Sequence, residues 1–301
     1  MHSGLSFFCL NFEIRIAGIT FATKIRIMKA FAYMNGTLLP LADAHLHITD
    51  LALLRGYGIF DFFKSVDGKP IFIEDHLDRF ERSLQLMGLE IPYTRQHLRD
   101  NILKLIQLNE ANLLGIKLLC TGGYSEDGYL PTTPNLIMFA KPFTFADFND
   151  GLKLMLLEHQ RDLHEIKTIN YIKPITVLPK LKALKADDVL YHQNGFVTEA
   201  SRSNLFIIKN EKVITPKDGV LLGITRKHIL KIARKAFETE VRSVTLKDLA
   251  EADEVFLTGS TKRVAPVIQI DNYHYPIGKV TEQLYHLLLE KETREATFAN
   301  T

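Results

Sequence analysis

The sequence predicts an α+β fold in which two α/β domains are joined by a short linker. The chain has 301 residues, of which 46% are hydrophobic, so it can bury one large core or two moderate ones. Strand-like and helix-like patterns follow one another along the chain, whereas the segment 142–151 mixes Pro, Asp, Asn and Gly without a sustained period. We therefore expect domains at 28–141 and 152–301, with 142–151 as the linker.

Residues 1–27 do not fit this plan. The apolar run Phe7–Leu10 is too short to span a bilayer, and Glu13 and Arg15 interrupt the residues after it. The order of charged and apolar residues also differs from that of a secretory signal. Because a strand-like pattern begins at Met28, we interpret 1–27 as an N-terminal extension, and a misassigned start codon would explain it.

The first domain is expected to begin with a hairpin that turns at Asn35–Gly36 and ends at Pro40. The elements expected after it are a strand at Ile59–Val66, helices at Glu74–Leu89 and Arg95–Asn109, and buried strands at Gly115–Thr121 and Leu136–Ala140. The alternation of side chains along a strand places Phe60, Phe62 and Lys64 on one face.

The second domain is expected to begin with a strand at Leu152–Glu158. The elements expected after it are a helix from about Ile175 to Ala186, strands at Val189–His192 and Leu205–Lys209, helices at Thr225–Phe237 and Leu246–Ala250, a strand at Glu254–Leu257, a hairpin, and a C-terminal helix at Lys279–Glu290. The polar residues after Glu290 are expected to fray.

Composition excludes several classes of function. The 37 basic and 35 acidic residues nearly balance, so no nucleic-acid or membrane-surface partner is expected. Cys9 and Cys120 are far apart, which argues against a disulfide framework and fits a reducing cytoplasm. His45 and His47 form the only tight histidine pair and have only Asp43 nearby, so no metal site is expected.

Two stretches carry candidate chemistry. Glu165–Tyr171 places Lys167 and Tyr171 four positions apart, and Gly195–Phe206 runs from a turn glycine into Glu199 and a cluster of hydroxyl residues. A lysine that attacks a carbonyl, an acid for a ring nitrogen and hydroxyls for a phosphate are the groups that pyridoxal 5'-phosphate needs from a protein. Each residue alone also has an ordinary interpretation, such as a solvated lysine or a turn-capping acid. Their combination favours an enzyme that uses this cofactor.

From about Met34 to Leu289 the chain resembles the class-IV (fold type IV) pyridoxal-phosphate aminotransferases. This family includes branched-chain aminotransferases, D-amino-acid aminotransferases and 4-amino-4-deoxychorismate lyases. The matching segments, in order, are Arg55–Asp61, Glu74–Phe80, Ile166–Tyr171, Val197–Glu199, Gly223–Arg226 and Ala252–Ser260. The resemblance implies a fold type IV enzyme with its cofactor in the cleft between the two domains, assembled as a homodimer.

The resemblance also implies a role for each matched residue at the ring of the cofactor. Lys167 would form the Schiff base and then move the proton during transfer, since a buried lysine readily shifts its pKa. Glu199 would contact the pyridine nitrogen, and Tyr171 would hydrogen-bond the phenolic oxygen.

A second group is implied for the phosphate of the cofactor. Arg79 would bind the phosphate bidentately with its guanidinium fork. Ile224 and Thr225 would offer the N–H groups of a helix start. Ser260 would complete the phosphate site, helped by the freedom of the glycine before it.

The substrate side departs from the family pattern. Branched-chain enzymes usually carry Tyr-x-Arg where this chain has Gly115-Ile116-Lys117, D-amino-acid enzymes carry an arginine at the position of Gly122, and lyases carry a threonine at that of Phe62. Each departure weakens one substrate assignment.

Phe60 and Phe62 nevertheless predict a compact apolar substrate pocket. The substrate carboxylate would meet Lys64 or the N–H groups of Ser260 and Thr261. Two tyrosines of a glycine-rich loop, Tyr124 and Tyr129, are candidates for closing the site, across a dimer interface in one arrangement.

The expected activity is ping-pong transfer of an amino group between an amino acid and a 2-oxo acid. An apolar or branched-chain L-amino acid is the preferred donor. A 4-amino-4-deoxychorismate lyase and a D-amino-acid aminotransferase are alternatives on the same scaffold. A non-catalytic pyridoxal-phosphate-binding protein is a further alternative, because the groups for the substrate carboxylate are atypical.

Overall fold

A computed structural model describes residues 9–16, 19–26 and 30–298 of the chain. Near the N-terminus, β1 (Cys9–Ile16) and β2 (Ile19–Arg26) pair in an antiparallel hairpin. The prediction that the native chain starts at Met28 falls on residues outside the described ranges.

The first half of the chain forms a six-stranded sheet in the order β4-β3-β8-β7-β5-β6. Its strands are β3 (Phe31–Met34), β4 (Thr37–Pro40), β5 (Gly58–Val66), β6 (Lys69–Pro70), β7 (Leu113–Thr121) and β8 (Asn135–Pro142). The helices are α1 (Leu51–Arg55), α2 (Ile73–Leu86) and α3 (Arg95–Leu108). The predicted hairpin, strands and two long helices are confirmed to within a few residues, whereas the short helix α1 was not predicted.

Helices α2 and α3 cover one face of this sheet. The apolar stripe of α2 includes Leu77 and Phe80, and that of α3 includes Leu98 and Ile102, all of them buried. These residues pack in one cluster with Phe63 and other apolar residues of the sheet. The periodic apolar pattern therefore fixes both helices against β5, the strand that carries the first predicted site residues.

The second half of the chain forms a ten-stranded mixed sheet. Its strands are β9 (Leu152–Glu158), β10 (Asp188–Gln193), β11 (Phe196–Ala200), β12 (Ser203–Lys209), β13 (Lys212–Pro216), β14 (Thr239–Arg242), β15 (Val244–Thr245), β16 (Glu254–Gly259), β17 (Arg263–Ile270) and β18 (Tyr273–His274). The helices are α4 (Ile172–Thr176), α5 (Leu178–Leu184), α6 (Ile224–Ala233), α7 (Leu246–Ala250) and α8 (Lys279–Phe298).

Six of these strands close into a ring. Around the ring they follow the order β9, β10, β11, β12, β16, β17, and β17 pairs back to β9. The pairing between β11 and β12 consists of Glu199 opposite Asn204 and Ala200 opposite Ser203. Closure leaves no free edge at this point and sets the backbone of Glu199 within the ring.

Three predicted helices differ from the structure. The helix predicted at Ile175–Ala186 is two short helices that meet at Val177, because the ring of Pro179 is incompatible with an unbroken helix through the carbonyl of Ile175. The helix predicted to reach Phe237 ends at Ala233.

The C-terminal helix continues beyond its predicted end at Glu290 to Phe298. The expectation of a frayed tail was wrong. Leu284, Leu288 and Glu292 recur every four residues and are buried, so the helix is fastened well beyond Glu290.

Candidate active site

A cavity of about 770 Å³ lies between the two sheets. Strands β5, β7 and β8 line it on one side, and β11, β12, β16 and the start of α6 line it on the other. Its size is within the range of small-molecule sites. Ten of the predicted site residues line it: Phe60, Phe62, Arg79, Lys167, Tyr171, Glu199, Ile224, Thr225, Ser260 and Thr261.

Lys167 is held at the cavity wall by backbone pairing with β5. The Phe60 N–H donates to the Lys167 carbonyl at 2.8 Å, and the Ile169 N–H donates to the Gly58 carbonyl at 3.1 Å. The Lys167 ammonium lies 4.5 Å from the centre of the Phe60 ring. Burial, together with the nearby positive charge of Arg79, lowers the pKa of Lys167 to about 7. A substantial fraction of this amine is therefore neutral, and hence nucleophilic, near neutral pH.

Glu199 lies on β11 with both carboxylate oxygens anchored. Arg161 Nε donates to Oε1 at 2.7 Å, while the Leu221 N–H donates to Oε2 at 2.9 Å. Asn204 Nδ2 lies 3.3 Å from Oε2 and also donates to the Leu221 carbonyl at 2.7 Å. The carboxylate is therefore fixed in orientation at the cavity.

The start of α6 forms another part of the lining. Gly223 is its N-cap and supplies no side-chain cap, and the N–H groups of the first turn have no carbonyl partner within the helix. A Cβ on Gly223 would lie only 2.0 Å from Asn204 Oδ1, so a glycine is needed for this close approach. Ile224 and Thr225 thus offer free N–H groups and the positive end of a helix dipole to an anion.

Arg79 of α2 is positioned by Asp61 of β5. Its Nε and Nη2 donate to the two oxygens of Asp61, each at 2.8 Å, and His76 Nδ1 lies 2.7 Å from Asp61 Oδ1. Burial opposes ionisation of Asp61, but Arg79 and His76 outweigh it and hold the pKa of this carboxyl below its usual range. In the described part of the chain, Arg79 Nη1 has no hydrogen-bond partner and remains available to a ligand.

Buried hydroxyl groups complete this end of the cavity. Ser203 Oγ and Thr258 Oγ1 are buried and have no hydrogen-bond partner among the described residues, and both residues line the cavity. Ser260 Oγ donates to the Phe62 carbonyl at 3.2 Å, so the turn after β16 is fastened to β5. Buried polar atoms without partners are costly, and a polar ligand in the cavity would satisfy them.

Part of the cavity lining is aromatic. Phe60 lies against Tyr171 with ring centroids 5.8 Å apart, and burial raises the pKa of the Tyr171 hydroxyl. The ring of Phe62 fills the space beside Gly115, where a Cβ would lie 2.4 Å from Phe62 Cζ. The aromatic ring at position 62 therefore fits only because position 115 has no side chain.

The placement predicted for Lys64 was wrong. Lys64 shares a strand face with Phe60 and Phe62, but it is 3% exposed and does not line the cavity. Its Nζ donates to Glu292 Oε1 at 2.5 Å, because this end of β5 lies under the C-terminal helix. The alternation along the strand was predicted correctly, whereas the contact with the C-terminal helix, which was expected to end at Glu290, was not.

Residues 58–270 match the family model described as amino-transferase class IV. This region includes most of the chain and the residues that line the cavity. The chain belongs to the class IV aminotransferases. It is therefore a pyridoxal-phosphate-dependent transaminase, and it acts on amino acids and 2-oxo acids.

Relatives with different names are similar to this class IV aminotransferase. A "Putative branched-chain-amino-acid aminotransferase" of Methanocaldococcus jannaschii is 30% identical over 269 residues, 84% of this chain and 93% of that protein. A D-alanine aminotransferase of Staphylococcus haemolyticus is also 30% identical, over 84% of this chain and 94% of that protein. The structure of a branched-chain amino acid aminotransferase from T.th. with pyridoxamine 5'-phosphate has a TM-score of 0.81 at 25% identity, covering 89% of this chain and 95% of that one.

The cofactor of a class IV aminotransferase is pyridoxal 5'-phosphate, and the residues of this cavity fit it. A helix start, an arginine and two hydroxyls without partners suit the phosphate, while a lysine with a lowered pKa suits the carbonyl. When bound, the cofactor supplies an electrophilic carbonyl carbon and a ring that accepts electrons.

Several lining residues were not among the predicted site residues. Arg161 lies in the irregular segment between β9 and α4, where no periodic pattern signals its direction, although an arginine six residues before the lysine was a visible feature. Lys117 and Lys141, on neighbouring strands, also line the cavity. The sequence shows both lysines, but only the pairing of β7 with β8 brings them together.

Other predictions concern residues outside the cavity. Tyr124 and Tyr129 are exposed and do not line it. His47 Nδ1 lies 2.9 Å from Thr49 Oγ1, and within the described residues no three His, Cys, Asp or Glu side chains are grouped to hold a metal ion. No helix in the described part of the chain is long and apolar enough to cross a membrane.

Proposed function

We propose that the cavity is the transamination site and that Lys167 is its catalytic residue. Lys167 would bind the carbonyl carbon of the cofactor with loss of water, and once the substrate amine had displaced it, its free amine would move the proton from the substrate carbon. The supporting observation is that a lysine with a pKa of about 7 lines the same cavity as an anchored carboxylate and an open helix start.

The resemblance to the family supplies the remaining roles, and the presence of these residues in the cavity lining supports them. Glu199 pairs with the pyridine nitrogen and favours its protonated form, and Tyr171 donates to the phenolic oxygen. The phosphate is held by Arg79, by Ser260 and by the first N–H groups of α6 at Ile224 and Thr225. These residues would hold the ring between Lys167 and Glu199.

The preferred donor in this proposal is an apolar or branched-chain L-amino acid. Phe60 and Phe62 form an apolar wall, and Thr261, which also lines the cavity, would offer its N–H group to the substrate carboxylate. The name of the Methanocaldococcus relative agrees with this donor class.

A specific observation favours an acceptor that carries a second carboxylate, such as 2-oxoglutarate. Lys117 Nζ lies 4.5 Å from the centre of the Phe60 ring, and burial together with the charge of Lys141 lowers the pKa of Lys117. In the described part of the chain no ion pair includes either lysine. Two neighbouring cations without a counter-ion favour an anion between them.

The decisive experiment is a screen of amino donors against 2-oxoglutarate and pyruvate, monitored by the absorbance of the bound cofactor and by product formation. L-leucine or L-isoleucine with 2-oxoglutarate is expected to give the highest kcat/KM. Preference for D-alanine would support the D-amino-acid alternative, and pyruvate release from 4-amino-4-deoxychorismate would support the lyase. Cofactor binding without turnover on any donor would leave the non-catalytic alternative.

We also propose that the protein is a cytoplasmic homodimer. Exposed apolar side chains near the glycine-rich loop, namely Leu53, Leu54, Tyr129 and Leu130, are consistent with a subunit interface there. In the dimer, Tyr124 and Tyr129 would close over the site of the neighbouring subunit. Sedimentation that gave a monomer of 34.3 kDa would reject this assembly.

A further inference from the structure

Outside the cavity, a charged cluster is buried where the C-terminal helix crosses the junction between the two sheets. Glu292 of α8 accepts from Lys64 Nζ of β5 at 2.5 Å and from Arg263 Nε of β17 at 2.8 Å. The two contacts use different oxygens, Oε1 and Oε2, and the Glu292 and Lys64 side chains are almost fully buried. One carboxylate therefore joins the six-stranded sheet, the ten-stranded sheet and the C-terminal helix.

The segment between the two sheets covers the same cluster. The ring of Phe145 lies 3.8 Å from Arg263 Cζ and 5.2 Å from Lys64 Nζ, measured to the ring centre. Both cations thus face an aromatic ring on one side and a shared carboxylate on the other. The cluster thus joins β5 of the first half, β17 and α8 of the second half, and the segment between the two halves.

Each cation follows a residue of the cavity lining by two positions in the sequence. Lys64 follows Phe62 by two positions on β5, and Arg263 follows Thr261 by two positions after the turn at the end of β16. Ser260 of this turn donates to the Phe62 carbonyl at 3.2 Å, so the walls also touch directly.

The backbone of Arg263 adds a reason for a fixed side chain. Arg263 has a φ of 58°, a left-handed conformation that a residue with a long side chain seldom adopts. Such a conformation persists where surrounding contacts hold it. The contact with Glu292 is the charged contact of the Arg263 side chain in the described part of the chain.

The charge balance of the cluster depends on Glu292. Burial lowers the pKa of Lys64 to about 8 although Glu292 favours its charged form, and the nearby Arg263 lowers it as well. Without the carboxylate, Arg263 would lose its charged partner and Lys64 would lose the group that favours its charged form, so neither side chain would keep the contact that fixes its position.

We propose that Glu292 is a positioning residue of the active site, which sets the separation between Phe62 on one wall and the Ser260–Thr261 turn on the other. It touches neither cofactor nor substrate and acts through Lys64 and Arg263. The inference deepens the proposed function and rests on it, because these two walls are assigned there to substrate and phosphate. A change of about 1 Å at such walls can lower turnover on the order of 100-fold.

The test compares Glu292→Gln with Glu290→Gln. Glu290 is exposed on the same helix and pairs only with Arg294 within the described residues, so it is the matched control. Hydrogen exchange of the amides at 259–263 is measured on the proteins without cofactor, and pyridoxal phosphate binding and donor KM and kcat are measured on the loaded proteins. Glu292→Gln is expected to speed exchange at the turn and to raise the cofactor Kd and donor KM, each by about tenfold or more, while Glu290→Gln changes none of them.

A second variant separates positioning from general stability. Lys64→Met combined with Glu292→Leu removes the unpaired buried cation and is expected to restore the thermal midpoint while turn exchange and donor KM stay high. Recovery of all three together, or unchanged turn exchange in a folded Glu292→Gln protein, overturns the proposal. If Glu292→Gln does not fold, the double variant decides alone. Failure of the wild-type protein to bind cofactor would reject the proposed function, whereas the exchange comparison would still judge the role of Glu292 in holding the turn.

Discussion

Arg161 Nε lies 2.7 Å from Glu199 Oε1, and the other oxygen of the same carboxylate accepts the Leu221 N–H at 2.9 Å. The carboxylate is therefore held from both sides before any ligand binds. A group that must meet a ring nitrogen benefits from such preorganisation, because it does not have to be ordered during the reaction.

Replacing Glu199 tests this arrangement. Glu199→Ala is expected to retain the cofactor, since the phosphate contacts remain, but to lower kcat by about 100- to 1000-fold, the usual scale for loss of one preorganised charge. Glu165→Gln is the matched control, because Glu165 is exposed and pairs with Arg82. Stopped-flow measurement of the half-reaction with L-glutamate gives the rate. Unchanged turnover in Glu199→Ala would refute the assigned role.

The lowered pKa of Lys167 predicts how cofactor uptake depends on pH. The neutral amine is the nucleophile, and its pKa is about 7, so the rate at which the protein without cofactor takes up pyridoxal phosphate should rise through about pH 7 and level off above it. Lys167→Ala should lose the absorbance band of the covalently bound cofactor, whereas Lys180→Ala, at an exposed position, should keep it. A retained band in Lys167→Ala would mean that another lysine carries the cofactor.

The pair Asp61 and Arg79 predicts a pH-dependent contribution to stability. The pKa of Asp61 is lowered from 3.8 in the folded protein, so its ionised form stabilises the fold above that value and the contribution is lost as the pH falls below it. Asp61→Asn leaves two buried basic groups without their partner and is expected to cost about 3 kcal/mol at neutral pH. Urea unfolding at several pH values should show the gap between wild type and Asp61→Asn narrowing below about pH 4. A gap that stays constant with pH would contradict this.

The packing of Phe62 against Gly115 predicts a coupled pair of substitutions. Gly115→Ala places a methyl group within 2.4 Å of Phe62 Cζ and is expected to cost about 1–3 kcal/mol. Replacing the phenyl ring by the smaller leucine side chain, in the double variant Phe62→Leu/Gly115→Ala, should recover part of this lost stability. Thermal unfolding of the two single variants and the double variant gives the coupling free energy. Additive effects would show that the two positions do not share this space.

The two lysines beside the apolar wall predict a split in substrate affinity. Lys117→Met is expected to raise the KM for 2-oxoglutarate about tenfold, in line with the loss of one partly buried ionic contact, and to leave the KM for L-leucine nearly unchanged. Lys117→Arg keeps the charge and is the control. Steady-state kinetics with 2-oxoglutarate and with the monocarboxylate 2-oxoisocaproate would show it. Equal effects on both acceptors would exclude a role in binding the second carboxylate.

Ten of the predicted residues line the cavity, and they could be named because several short segments together resemble one family, although each residue alone has an ordinary interpretation. Lys167 and Tyr171 lie four positions apart, Glu199 follows a strand start, and Ile224 and Thr225 open a helix after a glycine. Such signals are short-range and therefore readable from a single sequence.

The predictions that were wrong or missing concern contacts between residues that are far apart in the sequence. Lys64 was predicted to contact the substrate because it shares a strand face with Phe60 and Phe62. Its actual partner, Glu292, is 228 residues away in the sequence. Arg161 and Lys141 depend in the same way on which strands and loops become neighbours. Local patterns determine the direction of a side chain, whereas tertiary packing decides what it meets.

The ring of strands is joined between β11 and β12 by only two residue pairs, and all four residues, Glu199, Ala200, Ser203 and Asn204, line the cavity. The shortest seam of the ring thus also faces the cavity in which we propose that the cofactor binds. Stripping the cofactor should loosen this hairpin first, and trypsin should then cut after the exposed Arg202 at its tip. Protection of that single bond would report the loading of the enzyme without any assay of turnover.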